Sequence, residues 1–123
     1  MRPILPEEKI HADIKSKIAG NHSDIVLEVR EAVAHNKVVV VGMAQNPQPK
    51  KACRLLENEK IEYKYLEYGS YLNNWYRRNA LKMWTGWPTF PMIFINGFLI
   101  GGASDLRELI ESDKLSDLLS SKN

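Results

Sequence analysis

The chain has 123 residues, 17 Lys and Arg against 15 Asp and Glu, and one cysteine. That length fits one domain, and a formal charge of +2 gives no electrostatic argument for a nucleic acid or membrane surface. A lone cysteine forms neither an internal disulfide nor a Cys-x-x-Cys pair, and usage that is 44% hydrophobic and 26% charged excludes a disordered tail.

The opening stretch Met-Arg-Pro-Ile-Leu-Pro-Glu-Glu has no apolar core of the signal-peptide kind. The longest apolar run, Val38 to Met43, falls far short of the roughly 20 residues of a membrane helix. A soluble cytoplasmic protein is expected, with no membrane or nucleic-acid partner.

Residues 6–19 read as a helix. Pro6 suits a first helical position, Glu7 and Glu8 suit the positive end of the dipole, and Ile10, Ile14 and Ile18 form a narrow stripe. A second helix is expected over Asp24–His35, capped by Ser23, with Ile25, Val29 and Val33 inward and Val26 beside them. Asn36 can make its left-handed exit. Val38–Val41 is an unbroken β-branched run, the pattern of a strand covered on both faces.

A loop follows, and Pro47 or Pro49 can start a helix carrying Ala52, Cys53, Leu55 and Leu56. Ile61, Tyr63 and Tyr65 alternate with polar residues, as in a strand. Leu72–Met83 reads as a helix ended near Gly86. Met92–Ile95 is a strand, Asn96-Gly97 a hairpin turn, and Phe98–Ile100 its return. Gly101-Gly102 leads to a helix with Ser104 as its expected N-cap. Leu115–Leu119 closes a last short helix, with Ser120–Asn123 frayed. This order gives an α/β domain, a small mixed sheet with helices on both faces.

These residues resemble the glutaredoxin branch of the thioredoxin fold over about Asp24–Leu119. The most specific parts are Trp87-Pro88-Thr89-Phe90-Pro91 and Asn96-Gly97-Phe98-Leu99-Ile100-Gly101-Gly102, similar to the monothiol class. The resemblance implies a four-stranded thioredoxin-like sheet in a domain over 23–123, preceded by a helical extension over 1–22. It also places the active tetrapeptide on Asn46-Pro47-Gln48-Pro49, so Asn46 stands at the nucleophile position and Met43 where a lysine is usual. Thiol–disulfide exchange needs a thiolate, which an amide cannot supply. An iron–sulfur cluster held through that thiol is likewise not expected, and no metal cluster is visible around His11, His22 or His35.

What the resemblance leaves is a glutathione-like cleft. Arg78 matches the arginine that grips a carboxylate, or is a solvated helix residue. Phe90-Pro91 matches a cis-proline that turns the Phe90 backbone toward an extended peptide, and Thr89 adds a hydroxyl. Gly102, Ser104 and Asp105 match the helix end that receives the γ-glutamyl group, although plain capping explains Ser104 equally. Lys50, Lys51 and Arg54, with Arg78 and Lys82, either rim the cleft or form a solvated face. Cys53, seven residues past Asn46, packs as a small hydrophobe.

Three functions follow. One is a glutathione- or peptide-binding protein without redox turnover. Another is a protein-interaction scaffold docking through its N-terminal helix. The last is a glutathione-dependent disulfide oxidoreductase using Cys53.

Overall fold

A computed structural model describes residues 2–44, 46–69 and 75–120. Its elements are α1 (Ala12–Gly20), α2 (Ser23–His35), β1 (Val38–Gly42), α3 (Pro47–Asn58), β2 (Lys64–Glu67), α4 (Trp75–Thr85), β3 (Met92–Ile95), β4 (Phe98–Gly101), α5 (Ala103–Glu111) and α6 (Leu115–Ser120). The strands lie in the order β2-β1-β3-β4. β1 pairs in parallel with β2 and antiparallel with β3, and β3 pairs antiparallel with β4. This is the mixed sheet the sequence predicts.

The valine run accounts for its centre. All five residues of β1 are buried. Alternation sends Val39 and Val41 to one core with Ile25, Val29, Leu81 and Phe94, and Val38 and Val40 to the other with Ala52, Leu56, Ile93 and Leu106. Helices α2 and α4 cover the first face, and α3 and α5 the second. A fully buried Leu or Ile contributes roughly 1.5–3 kcal/mol, so the twelve largest fully buried side chains on these two faces are the main cohesion of the domain.

Several ends differ from expectation. The first predicted helix is broken into a 3-10 turn, Glu7–Lys9, and α1. The break arises because His11 takes an extended conformation and its Nδ1 accepts from the Asp13 N–H at 3.1 Å, capping α1. The Ile stripe is therefore interrupted at Ile10. Helix α2 starts at Ser23 itself, after His22 in a left-handed conformation (φ 48°). Asn36 leaves that helix extended, and its side-chain Nδ2 donates to the Ala32 carbonyl at 2.9 Å. Strand β2 begins at Lys64, later than the alternation at Ile61 suggests. The expected start of α4, 72–74, and the frayed end, 121–123, lie outside the described residues, and Ser120 is helical.

The hairpin forms as predicted, with Asn96 (φ 49°) and Gly97 (φ 86°) both left-handed. Asn96 does a second thing. Its Nδ2 donates to the carbonyls of Leu118 (2.6 Å) and Leu119 (3.1 Å) and so holds α6 to the sheet. Among the described residues no helix is long and apolar enough to cross a membrane.

Candidate functional site

Three chain segments meet at one end of the strands, beyond the C-termini of β1 and β4 and the N-terminus of β3: the start of α3, the Trp87–Pro91 loop and the start of α5. They enclose a cleft of about 490 Å³.

The first wall is set by β1 and its exit. A Cβ at Gly42 would lie 2.7 Å from Pro49 and 2.9 Å from the Tyr65 hydroxyl, so glycine permits the first turn of α3 to press on the strand. Pro47 occupies the first helical position and Asn46 is the N-cap. The Asn46 Oδ1 accepts from the Gln48 N–H at 3.0 Å. Its Nδ2 donates across the cleft to the Phe90 carbonyl at 3.4 Å. Asn46, Gln48 and Met43 line the cleft on this side.

The second wall is the loop after α4. The Thr85 Oγ1 donates to the Leu81 carbonyl and accepts from the Trp87 N–H, which closes the helix and aims the loop. The Phe90–Pro91 bond is cis, as the resemblance implies. Trp87, Thr89, Phe90 and Pro91 line the cleft. Among the described residues, the Trp87 Nε1 is buried without an acceptor. The Lys82 Nζ stands 5.8 Å from the Phe90 ring centroid, within reach of a cation–π attraction.

The third wall is the start of α5. Here the N-cap is Gly102, not Ser104, because the backbone turns at Gly101 (φ +111°). The Asp105 Oδ2 accepts from the Gly102 N–H at 2.9 Å. This is one half of a capping box, since glycine has no side chain to complete it. A Cβ at Gly101 would fall 2.4 Å from that same oxygen. Ser104 is exposed at the second helical position and also lines the cleft. A carboxylate ligand would meet the free N–H groups of the first turn here, with Asp105 beside it.

The fold thus gathers Asn46, Thr89, Phe90, Pro91, Gly102, Ser104 and Asp105 around one space. It does not gather Arg78. That side chain is 5% exposed, and its Nη1 donates to the Tyr68 carbonyl at 3.1 Å. Arg78 sits one turn, roughly 6 Å, back along α4 from Lys82, so the cation in the cleft is Lys82. The helical spacing of four was the signal that could have singled out Lys82. Lys50, Lys51 and Arg54 are exposed and line no part of the cleft. Near Arg78, Arg77 ties α4 to Asp24 of α2 (2.7 Å), and the Tyr68 hydroxyl, just after β2, donates to Glu28 of the same helix α2.

Cys53 lies two turns along α3, half-buried against the Val38–Val40 core and outside the cleft. Burial pushes its thiol pKa up from 9.0, a hydrogen bond with Tyr63 lowers it by less, and Glu57 adds to the rise. A thiol raised in this way is a poor nucleophile at neutral pH. A larger hollow, about 680 Å³, opens between α5 and α6, walled by Glu108, Glu111 and Lys114, and touches the cleft's residues only at Asp105.

The family description Glutaredoxin matches residues 38–100. A Dictyostelium discoideum protein named glutaredoxin-like protein is 46% identical over 107 residues, covering 86% of this chain and 87% of that one. The crystal structure of wheat glutaredoxin superposes with a TM-score of 0.67 at 30% identity, over 80% of this chain and 91% of that one. A buckwheat glutaredoxin–glutathione complex shares the fold with a TM-score of 0.70 at 24% identity, over 82% and 92% of the two chains. With its sheet order, its cis-proline loop and these matches, the chain belongs to the glutaredoxin family.

Proposed function

We propose that this chain binds glutathione, or an extended peptide of similar shape, and does not turn over disulfides. One observation carries the reading. The helix end that faces the cis-proline across the cleft presents the Asn46 amide, bonded to Phe90, and the chain's one thiol lies two turns away and outside the cleft. The buckwheat glutaredoxin, which shares this fold, was crystallised as a complex with glutathione.

In this reading Lys82 attracts one ligand carboxylate, and the first turn of α5 receives another. Asp105, held by the Gly102 N–H, offers an acceptor to an ammonium group. The Phe90 backbone and the Thr89 hydroxyl pair with the ligand's peptide groups, and Gly102 leaves room for its backbone. Arg78 takes no part. An iron–sulfur cluster ligated from this helix end is not part of the reading, because no thiolate stands there.

Titration with reduced glutathione, followed by backbone amide NMR, tests the binding half. Shifts are expected at Phe90 and Ser104, and their absence at millimolar ligand would sink it. A glutathione–mixed-disulfide reduction assay tests the other half. The expected rate is that of the uncatalysed background, and turnover abolished by Cys53→Ala would overturn it.

A further inference from the structure

A second concavity lies on the opposite side of the first core, where α1 meets α2 and α4. It has a volume of about 380 Å³. Ile18, Leu27, Met83 and Trp84 line it, and these are 44%, 52%, 63% and 38% exposed. Arg30 is the one charged residue in its lining, and no ion pair engages it among the described residues. Water therefore faces a contiguous apolar surface of the kind that marks an interaction site.

The same chain carries an apolar segment that matches this surface. Ile4 and Leu5 are each 65% exposed. They stand between Pro3 and Pro6, which hold the backbone extended: proline fixes its own φ and pushes the residue before it out of the helical region. Pro6 itself is extended (φ −61°, ψ 147°). A segment fixed in this way loses little entropy on docking. Two acids, Glu7 and Glu8, follow directly and are exposed, opposite in sign to the free Arg30. The arm does not fill its own groove, since Ile4 and Leu5 remain in solvent while Arg2 is anchored by its Nη1 to the Thr85 carbonyl at 3.2 Å.

We infer that the groove between α1, α2 and α4 is filled by the Ile4-Leu5 arm of a second copy of this chain. A two-fold arrangement satisfies both copies at once, because arm and groove belong to each. The Arg2 anchor holds the arm at the end of α4, next to Met83 and Trp84, so it need not be released. Glu7 or Glu8 of one copy then faces Arg30 of the other. This gives α1 a role: a helix of nine residues is too short to persist alone in water, and none of its residues is buried.

Sedimentation equilibrium of the full chain over micromolar to high-micromolar concentrations tests this. A reversible monomer–dimer equilibrium is expected. Leu5→Asp and Leu27→Asp should each raise the dissociation constant about tenfold or more, since either puts a charge against an apolar surface. Arg30→Glu should raise it a few-fold, and Arg30→Glu combined with Glu7→Arg and Glu8→Arg should recover most of that loss. All these positions are exposed, and far-UV circular dichroism verifies that the variants are folded. A chain that stays monomeric throughout overturns the inference, as would any other occupant of the groove. A dimer indifferent to Leu5→Asp and Leu27→Asp overturns it too, since another face would then hold the copies together.

Discussion

The side-chain amide of Asn46 donates to the carbonyl oxygen of Phe90 at 3.4 Å, while its oxygen caps α3 through the Gln48 N–H. One residue thus fastens two of the cleft's three walls. Asn46→Ala removes the cap and the bridge together. Loss of an N-cap costs about 1 kcal/mol, and thermal unfolding should show a loss of that size or slightly more. Asn46→Cys should do the opposite for chemistry. A thiol at a helix N-terminus has a lowered pKa, so this variant is expected to gain measurable mixed-disulfide reduction with glutathione, at a rate above that of the parent.

Lys82 and Arg78, one turn apart on α4, should respond in opposite ways. Lys82→Ala is expected to weaken glutathione binding a few-fold at low salt, with the melting temperature nearly unchanged. Arg78→Ala should destabilise the fold by about 2 kcal/mol or more, because it empties a buried site and strands the Tyr68 carbonyl. Isothermal titration alongside thermal melts distinguishes the two.

Gly101 and Asp105 form a single unit. Gly101→Ala adds a Cβ against the Asp105 carboxylate in a left-handed conformation, and a cost of about 2 kcal/mol is expected. Asp105→Ala removes the acceptor of the Gly102 N–H, worth about 1 kcal/mol. The double variant should lose less than the sum, because the two closest clashing atoms, the Asp105 Oδ2 and Cγ, leave with the carboxylate. Urea denaturation of the four proteins closes that cycle.

Alkaline pH should weaken the fold through Cys53 and Tyr68. Burial is the largest cause of the upward shift in both. A raised folded-state pKa contributes stability in full below the unfolded value and loses it as pH rises toward the folded one. Stability should therefore hold at neutral pH and decline above about 9, where the unfolded thiol ionises before the folded one. The alkylation rate of Cys53 at pH 7 is expected to be well below that of a free thiol, and a rate equal to it would contradict the assignment.

Much of this was legible in the residues. Val38–Val41 named the central strand because only a doubly covered strand tolerates four consecutive valines. Asn96-Gly97 named the turn because both its positions need left-handed backbone. The site was readable where it depends on backbone motifs, in Phe90-Pro91 and Gly101-Gly102. It was less readable where a side chain chooses between core and cleft. Nothing in Arg77-Arg78 announces that Arg78 turns inward to the Tyr68 carbonyl, since that contact pairs α4 with the segment after β2, ten residues earlier in the chain. Capping was ambiguous for a related reason. Ser23 and Ser104 are both plausible caps, yet His22 and Gly102 hold those positions, because the start of each helix is fixed by neighbouring φ angles that tertiary packing sets, as at Gly101.

The amide of Asn96 bears on how the protein ages. Asparagine followed by glycine is the pair in which the next backbone nitrogen most readily attacks the side-chain carbonyl and expels ammonia, and water then opens the resulting succinimide ring to leave a carboxylate. Here that amide is the donor that holds the end of α6, through Leu118 and Leu119. A carboxylate there would accept where it had donated, facing two carbonyl oxygens. Slow chemical damage at one turn would therefore unlatch the last helix and bring its own buried Leu115 into water, tying the useful lifetime of the fold to the shelter that α6 gives its own anchor.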